Sequence, residues 1–323
     1  MLFAPLPMHI PDGFLSVLVS LVLWALSIAS IAVALKRVSA DLGERHVPVM
    51  GVLAAAIFAG QMLNFSVTGG TSGHLMGAAL ATIVLGPWVG LLVMTSVVGI
   101  QAVVFQDGGL LALGANIFNM GVVGVAVSYF AYRTLQRLLQ PLAKGKSWGL
   151  LASGFGAAWL SIFIAALAAA LQLALSGSSP ANVAVPAMGG IHALIGIGEG
   201  LITVGALAFI LAARGDLLQV EAEPSTGGSR AVWVGGLAIA VLLAVVSPLA
   251  SANPDGLEWV AEERGFLDLA RGPLYEIIPD YVMPGIGNEA LATIVAGVVG
   301  VGLVLAATLA VAYARRRDQG AGA

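Results

Sequence analysis

No cysteine occurs in the 323-residue chain, which excludes disulfide scaffolds, thiolate metal centres, thiol nucleophiles and iron–sulfur clusters together. Any metal ion must be held by nitrogen or oxygen. Charge is also scarce: 10% of residues are charged and 59% hydrophobic, whereas a soluble domain carries about 25% charged residues. So little polar surface cannot keep the chain in water, and it belongs in a membrane. A formal net charge of −3 offers no basic stripe to neutralise phosphates, which argues against nucleic acid as a partner.

Catalytic motifs are missing too. Gly145-Lys146-Ser147 ends like a phosphate-binding loop, but Gln140 stands where its first glycine is required, and no strand precedes it. The chain therefore cannot hydrolyse ATP. HExxH and GxSxG are absent, and no nucleophile–base pair emerges, so an enzyme is disfavoured.

What the chain has in abundance is apolar runs. A bilayer core of about 30 Å takes about 20 helical residues at about 1.5 Å each. Runs at 14–35, 47–67, 87–105, 115–132, 148–175 and 189–213 are of that order, and 231–250 and 289–313 follow a polar break. A shorter stretch, 75–85, stops at Gly86-Pro87, where proline interrupts a continuous helix. The first run is too long for the core of a signal peptide and lacks a basic leader, so it reads as a retained span.

Basic residues set the direction, because Lys and Arg concentrate on the cytoplasmic side. Lys36, Arg37 and Arg45 place the first loop inside, and Arg133, Arg137, Lys144 and Lys146 do the same for the loop after residue 132. His74 and Asp107 then both lie outside, which needs an even number of passes between them, so 75–85 and 87–105 form a tight hairpin or a re-entrant dip. With Arg214, Arg230, Arg315, Arg316 and Arg317 inside, Arg264 and Arg271 are the basic residues left outside. The expected fold is all-α, a polytopic transmembrane helical bundle of about nine spans in the cell membrane. Its amino end is outside and its carboxyl end cytoplasmic.

Residues 216–230 (DLLQVEAEPSTGGSR) are polar and turn-rich, which predicts a linker. It separates a seven-span part, 1–215, from a two-span part, 231–323. The outside loop of the second part, 251–288, holds Asp255, Glu258, Glu262, Glu263, Asp268, Glu276 and Asp280 and would attract cations. It also fits an ordinary solvated loop.

Of the four histidines, His46 sits among charged residues and reads as solvated surface. His9 and His74 lie at the same face. His9 stands before the turn residues Pro11-Asp12-Gly13, and His74 ends the glycine-rich GGTSGH (69–74). Two neutral imidazoles suit Ni²⁺, Co²⁺, Cu²⁺ or Zn²⁺, but two ligands are too few. If Met8 were the first residue, its amine, the His9 amide nitrogen and the His9 ring would supply three nitrogens in fused chelate rings. His74 would complete a square-planar site suited to Ni(II) or Cu(II). The extension 1–7 (MLFAPLP) would block that amine. On spacing alone the plainer reading is preferred: an interfacial His9 and a loop His74.

His192 and Glu199 share one face of a helix, seven residues apart, with Glu199 near midmembrane. An intramembrane carboxylate is costly, and either a bond to a neighbouring helix or a substrate role would justify it. Gln61, Asn64, Gln101, Asn116 and Asn119 form a polar set expected to face inward. Gly86-x-x-x-Gly90 and Gly196-x-x-x-Gly200 suggest helix packing.

MHIPDGFLS (8–16), GGTSGHLMGAALATIVLGPW (69–88), QAVVFQDGGLLALGANIFNMG (101–121) and HALIGIGEG (192–200) resemble the CbiM/NikM family. That family is the substrate-binding membrane component of energy-coupling-factor (ECF) cobalt and nickel transporters. The resemblance covers most of residues 8–213. NPDGLEWV (253–260) between two apolar runs is similar to the small NikN/CbiN-type component, here fused behind the linker. The resemblance implies metal ligation by Met8, His9 and His74, which reverses the preference drawn from spacing. It implies Co²⁺ or Ni²⁺ as transported substrate, with no prosthetic group, for cobalamin biosynthesis or nickel enzymes. The implied partners are a transmembrane coupling protein and ATPase subunits on separate chains. The seven residues before Met8 depart from the family pattern, and a misassigned start is the favoured explanation. The rival expectation is a self-sufficient proton-driven metal transporter with Glu199 as relay.

Overall fold

The computed structural model describes residues 8–38, 46–218 and 229–320. Residues 1–7, most of the expected linker and the side chains of His46, Arg230, Arg315, Arg316 and Arg317 fall outside that description, with the expectations that rest on them. Six helical stretches are long and apolar enough to cross a bilayer: Val17–Val38 (α1), Pro87–Val104 (α4), Leu113–Ala143, Trp148–Ser176 (α7), Ala181–Arg214 (α8) and Glu289–Ala314. Two shorter apolar helices, Val47–Gln61 and Trp233–Leu249, accompany them. They belong to α2 (His46–Gln61) and α9 (Ser229–Val246), and the last long stretch to α11 (Glu289–Gly320). The expected polytopic helical bundle is observed.

Leu18, Leu21 and Val22 of α1 and Leu201 and Phe209 of α8 are exposed, while Ser20, Ser27 and Thr203 on the same two helices are buried. Apolar outside and small or polar inside is the arrangement of a helix facing lipid on one side and protein on the other. Beside α7, a methyl group on Gly196 would lie 2.8 Å from Trp159 and one on Gly200 2.6 Å from Phe155. That glycine pair serves packing, as expected.

Several boundaries differ from the sequence reading. The 47–67 run is helical only to Gln61, because Phe65–Val67 (β1) and Thr71–Gly73 (β2) pair as an antiparallel hairpin. Its turn holds Gly69 at φ +83° and Gly70 at φ +80°, backbone angles that glycine adopts without penalty. The short stretch becomes α3, Ala78–Leu85, eight residues or about 12 Å long at about 1.5 Å per residue. That is less than half a bilayer core, so α3 does not cross by itself. Gly86 then turns the chain into α4, with Pro87 in the first helical turn, where its missing N–H costs nothing. Arg37 at the end of α1 lies over the Trp88 ring, 6.0 Å from its centroid, so this turn is at the end of the bundle opposite His9. α3 and α4 thus pack against one another between His74 and Asp107, where a tight hairpin or a re-entrant dip is expected.

Leu113–Asn116 (α5) runs through a π-helical stretch, Ile117–Val123, into α6 (Gly124–Ala143). Such wide turns re-aim side chains and cluster at functional sites. Asn116 and Asn119 are buried there, and Asn119 exchanges two amide hydrogen bonds with Gln172 of α7, at 2.8 and 2.6 Å. Gln61 and Gln101 are also buried, whereas Asn64 lies half-buried after the end of α2.

The carboxyl-terminal helices α9 and α11 pack on α2. The segment between them, including α10 (Gly256–Glu263), lies over the end of the bundle that carries His9 and His74. Backbone hydrogen bonds hold it there: Ser72 N–H to Pro254 O at 2.8 Å, Arg271 N–H to Asp12 O at 2.8 Å and Ile278 N–H to Val104 O at 3.0 Å.

Candidate metal centre

The segment after Met8 is seated in a cleft between two loops. Asn116 holds Ile10 from both sides, accepting its N–H and donating to its carbonyl, each at 3.1 Å. Asp12 accepts the Ala112 N–H at 2.9 Å. Gly13 has φ +97°, and a Cβ on it would come within 2.0 Å of the Leu269 carbonyl oxygen. Only glycine fits between the amino-terminal loop and the carboxyl-terminal segment.

His9 is 4% exposed. Its ring lies edge-on to that of His74, with centroids 5.7 Å apart and planes at 89°, so residues 65 positions apart in the sequence meet. The His9 backbone N–H donates to Asp107 Oδ1 at 3.1 Å, and its Nδ1 lies 3.2 Å from the same oxygen. Nδ1 is within ion-pairing distance but outside hydrogen-bond geometry, and Nε2 has no hydrogen-bond partner. Tyr281 donates its hydroxyl to Asp107 Oδ2 at 2.5 Å. On His74, Nδ1 lies 3.0 Å from the Leu75 carbonyl, which makes it the protonated nitrogen and leaves the Nε2 lone pair free. That nitrogen is 3.9 Å from Asp255 Oδ2.

Burial is the largest influence on His9 and opposes its charged form, yet the neighbouring Asp107, chiefly through its charge, outweighs it and raises the His9 pKa above 6.5. For His74, burial and then the neighbouring His9 hold the pKa below the ordinary value. Burial pushes Asp107 up, but His9 and the Tyr281 hydroxyl more than offset this and keep it below the usual carboxylate range. Asp255 is pushed up to about 7 by its own burial.

A cavity of ≈ 100 Å³ is lined by Met8, His9, His74, His192, Asn116 and Asp255 among others. Among the described residues, no three or more His, Asp or Glu side chains are grouped closely enough to hold an ion. The clustered side chains alone are therefore too few, and further donors, such as backbone nitrogen or water, would be needed to complete a four-coordinate site. Of the residues singled out in the sequence, His9, His74 and Met8 come together. His192 faces the same cavity, with Nδ1 2.9 Å from the Met188 carbonyl, and Glu199 lies behind the His74 loop. Asp107, Asn116, Asp255 and Tyr281 were not assigned to the site beforehand. The Asp-Gly pairs of QDGG (106–109) and NPDG (253–256) were the available signal for the two aspartates.

Residues 9–217 match the family model described as "Cobalt uptake substrate-specific transmembrane region", CbiM. The chain belongs to the CbiM family. Residues 230–317 match a second model, the PDGLE domain. The chain is 40% identical over 317 residues to a putative fused nickel transport protein NikMN of Archaeoglobus fulgidus, covering 95% of this chain and 99% of that one. It is 29% identical to the fused nickel transport protein NikMN of Rhodobacter capsulatus, covering 93% and 95%. It is 35% identical to the cobalt transport protein CbiM of Sorangium cellulosum, covering 66% and 95%. A crystal structure of a transition metal transporter superimposes with a TM-score of 0.56 at 35% identity, covering 64% of this chain and 93% of that one. In this CbiM-family chain, His9, His74 and Asp107 fall within the CbiM match, and Asp255 and Tyr281 within the PDGLE match. Both matched regions therefore meet at the two histidines.

Proposed function

We propose that the chain is the substrate-specific membrane component of an ECF-type importer for Co²⁺ or Ni²⁺. It captures the ion on the outer face through His9 and His74, joined by the Met8 amine where the chain starts at Met8, and releases it inward when coupled to separate transmembrane and ATPase subunits. The observation that carries this reading is the meeting of two buried imidazoles, 5.7 Å apart, at the wall of a cavity. The naming of the similar proteins as nickel or cobalt transport proteins supports the substrate, and the absence of a phosphate-binding motif supports a separate ATPase. Basic residues at the opposite end of the bundle, Lys36 and Arg37 on α1, support an outward-facing site.

A planar nitrogen set selects by geometry, since it suits Ni(II) or Cu(II) better than the tetrahedral preference of Zn(II). Release requires that the partner-bound state hold the ion more weakly, because a partner shifts occupancy only through differential affinity. The function is tested by Ni²⁺ and Co²⁺ uptake in cells expressing the chain with its coupling and ATPase subunits. Loss of uptake on deleting the ATPase subunits is expected. Full uptake without them, driven by a pH gradient, would overturn the ECF reading.

Metal binding is also expected to weaken in acid, because an imidazole must be deprotonated to ligate. With the His9 pKa raised by Asp107, protons compete from a higher pH than at an ordinary histidine. The His9 imidazole's contribution is full above its pKa and falls as pH drops through it, and His74, whose pKa is lowered, adds its loss at lower pH. Ni²⁺ titrations by calorimetry between about pH 8 and about pH 5 measure this. A flat profile would contradict ligation by His9.

A further inference from the structure

Glu199 is 0% exposed, in the middle of α8. Its carboxylate is engaged by backbone: Oε2 accepts the Met76 N–H at 2.6 Å and Oε1 the Gly77 N–H at 3.0 Å. Gln61 of α2 donates from Nε2 to the Met76 carbonyl at 2.8 Å. Met76 is therefore gripped at its N–H by one helix and at its carbonyl by another. Gly77 is the N-cap of α3 and carries no side-chain cap of its own, so its N–H at the helix start, and the Met76 N–H just before it, are satisfied by a carboxylate brought in from α8. His74 lies two residues before this grip, and its ring is turned by the Leu75 carbonyl.

We infer that Glu199, with Gln61, is a positioning residue that fixes the Met76–Gly77 backbone and thereby holds the His74 ring in reach of His9. This rests on the reading of His9 and His74 as metal ligands. It gives the intramembrane carboxylate a use other than carrying protons. Both oxygens are occupied by backbone donors, which stay protonated whatever the transport step.

The test uses the full chain in detergent and compares Glu199→Ala, Glu199→Gln and His74→Ala by Ni²⁺ calorimetry and by the Ni²⁺ absorption spectrum. Changing a partner that orients a metal ligand typically costs about 10- to 100-fold in affinity. Glu199→Ala is expected to lose affinity in that range with a shifted spectrum. Glu199→Gln should recover part of the loss, since its amide oxygen still accepts one N–H. If the alanine variant does not fold, the near-isosteric glutamine variant decides on the same two readouts. Wild-type affinity and spectrum in the Glu199 variants, with binding lost in His74→Ala, would overturn the positioning role alone. Binding retained in His74→Ala would overturn the metal-site reading beneath it. Unchanged binding in Glu199→Gln with uptake lost under a pH gradient would assign Glu199 to proton transfer instead.

Discussion

His74→Ala is expected to abolish tight Ni²⁺ and Co²⁺ binding while the protein still inserts and folds. The two effects separate because the ring contributes little to the fold. Its side-chain hydrogen bond runs to the carbonyl of the next residue at 3.0 Å, and an ordinary intramolecular hydrogen bond is worth only about 0.5–1.5 kcal/mol net. The loop itself stays pinned by Ser72 against Pro254 and by Glu199 against Met76. The site, by contrast, loses one of the two imidazoles that meet there, and among the described residues no group of three or more His, Asp or Glu side chains is available to hold the ion instead. Changes one shell out cost about 10- to 100-fold, so removing a ligand should cost more than about 100-fold. Calorimetry with an unchanged elution profile on size exclusion checks this, and unchanged affinity would remove His74 from the site.

The second large effect concerns the amine of Met8. The amide nitrogen and Nδ1 of His9 both face Asp107 Oδ1, at 3.1 and 3.2 Å. Two nitrogens of one residue thus lie within 3.2 Å of one point, and in the proposed site an ion held by both would take the place of the carboxylate oxygen. A free amine on Met8 adds a third nitrogen in a fused ring, and such tethering is worth about 10²- to 10⁴-fold through effective concentration. A chain beginning at Met8 is therefore expected to bind Ni²⁺ at least about 100-fold more tightly than one retaining residues 1–7. It should also give the absorption of a diamagnetic square-planar complex. An octahedral spectrum, or equal affinity of the two forms, would contradict ligation by the amine.

The helical membrane architecture was legible because lipid imposes it: apolar runs of span length and the segregation of Lys and Arg need no tertiary information. Residues 75–85 resisted because length cannot tell a short helix with an extended lead-in from a full crossing, and the 62–77 segment sets its depth by contacts to α2 and α8. The charge map puts His9 and His74 at one face, but only the resemblance favours joining them in one site, since 65 residues of separation carry no spacing signal. Asp107 and Tyr281 were invisible for a similar reason. They meet across 174 residues, and the acidic 251–288 loop fits a cation-attracting loop and an ordinary solvated one alike, neither of which implies that Asp255 is buried against the His74 loop. Glu199 was recognised as costly in lipid, but the groups that satisfy it are backbone N–H, which every sequence has and none advertises.

The central claim is that one divalent ion is gripped jointly by His9 and His74. X-ray absorption on the Ni²⁺-loaded chain tests it most directly. The account predicts a first shell dominated by nitrogen, with the outer scattering of two imidazoles that falls to one in His74→Ala. An oxygen-rich six-coordinate shell, or an imidazole count unchanged by that substitution, would contradict it.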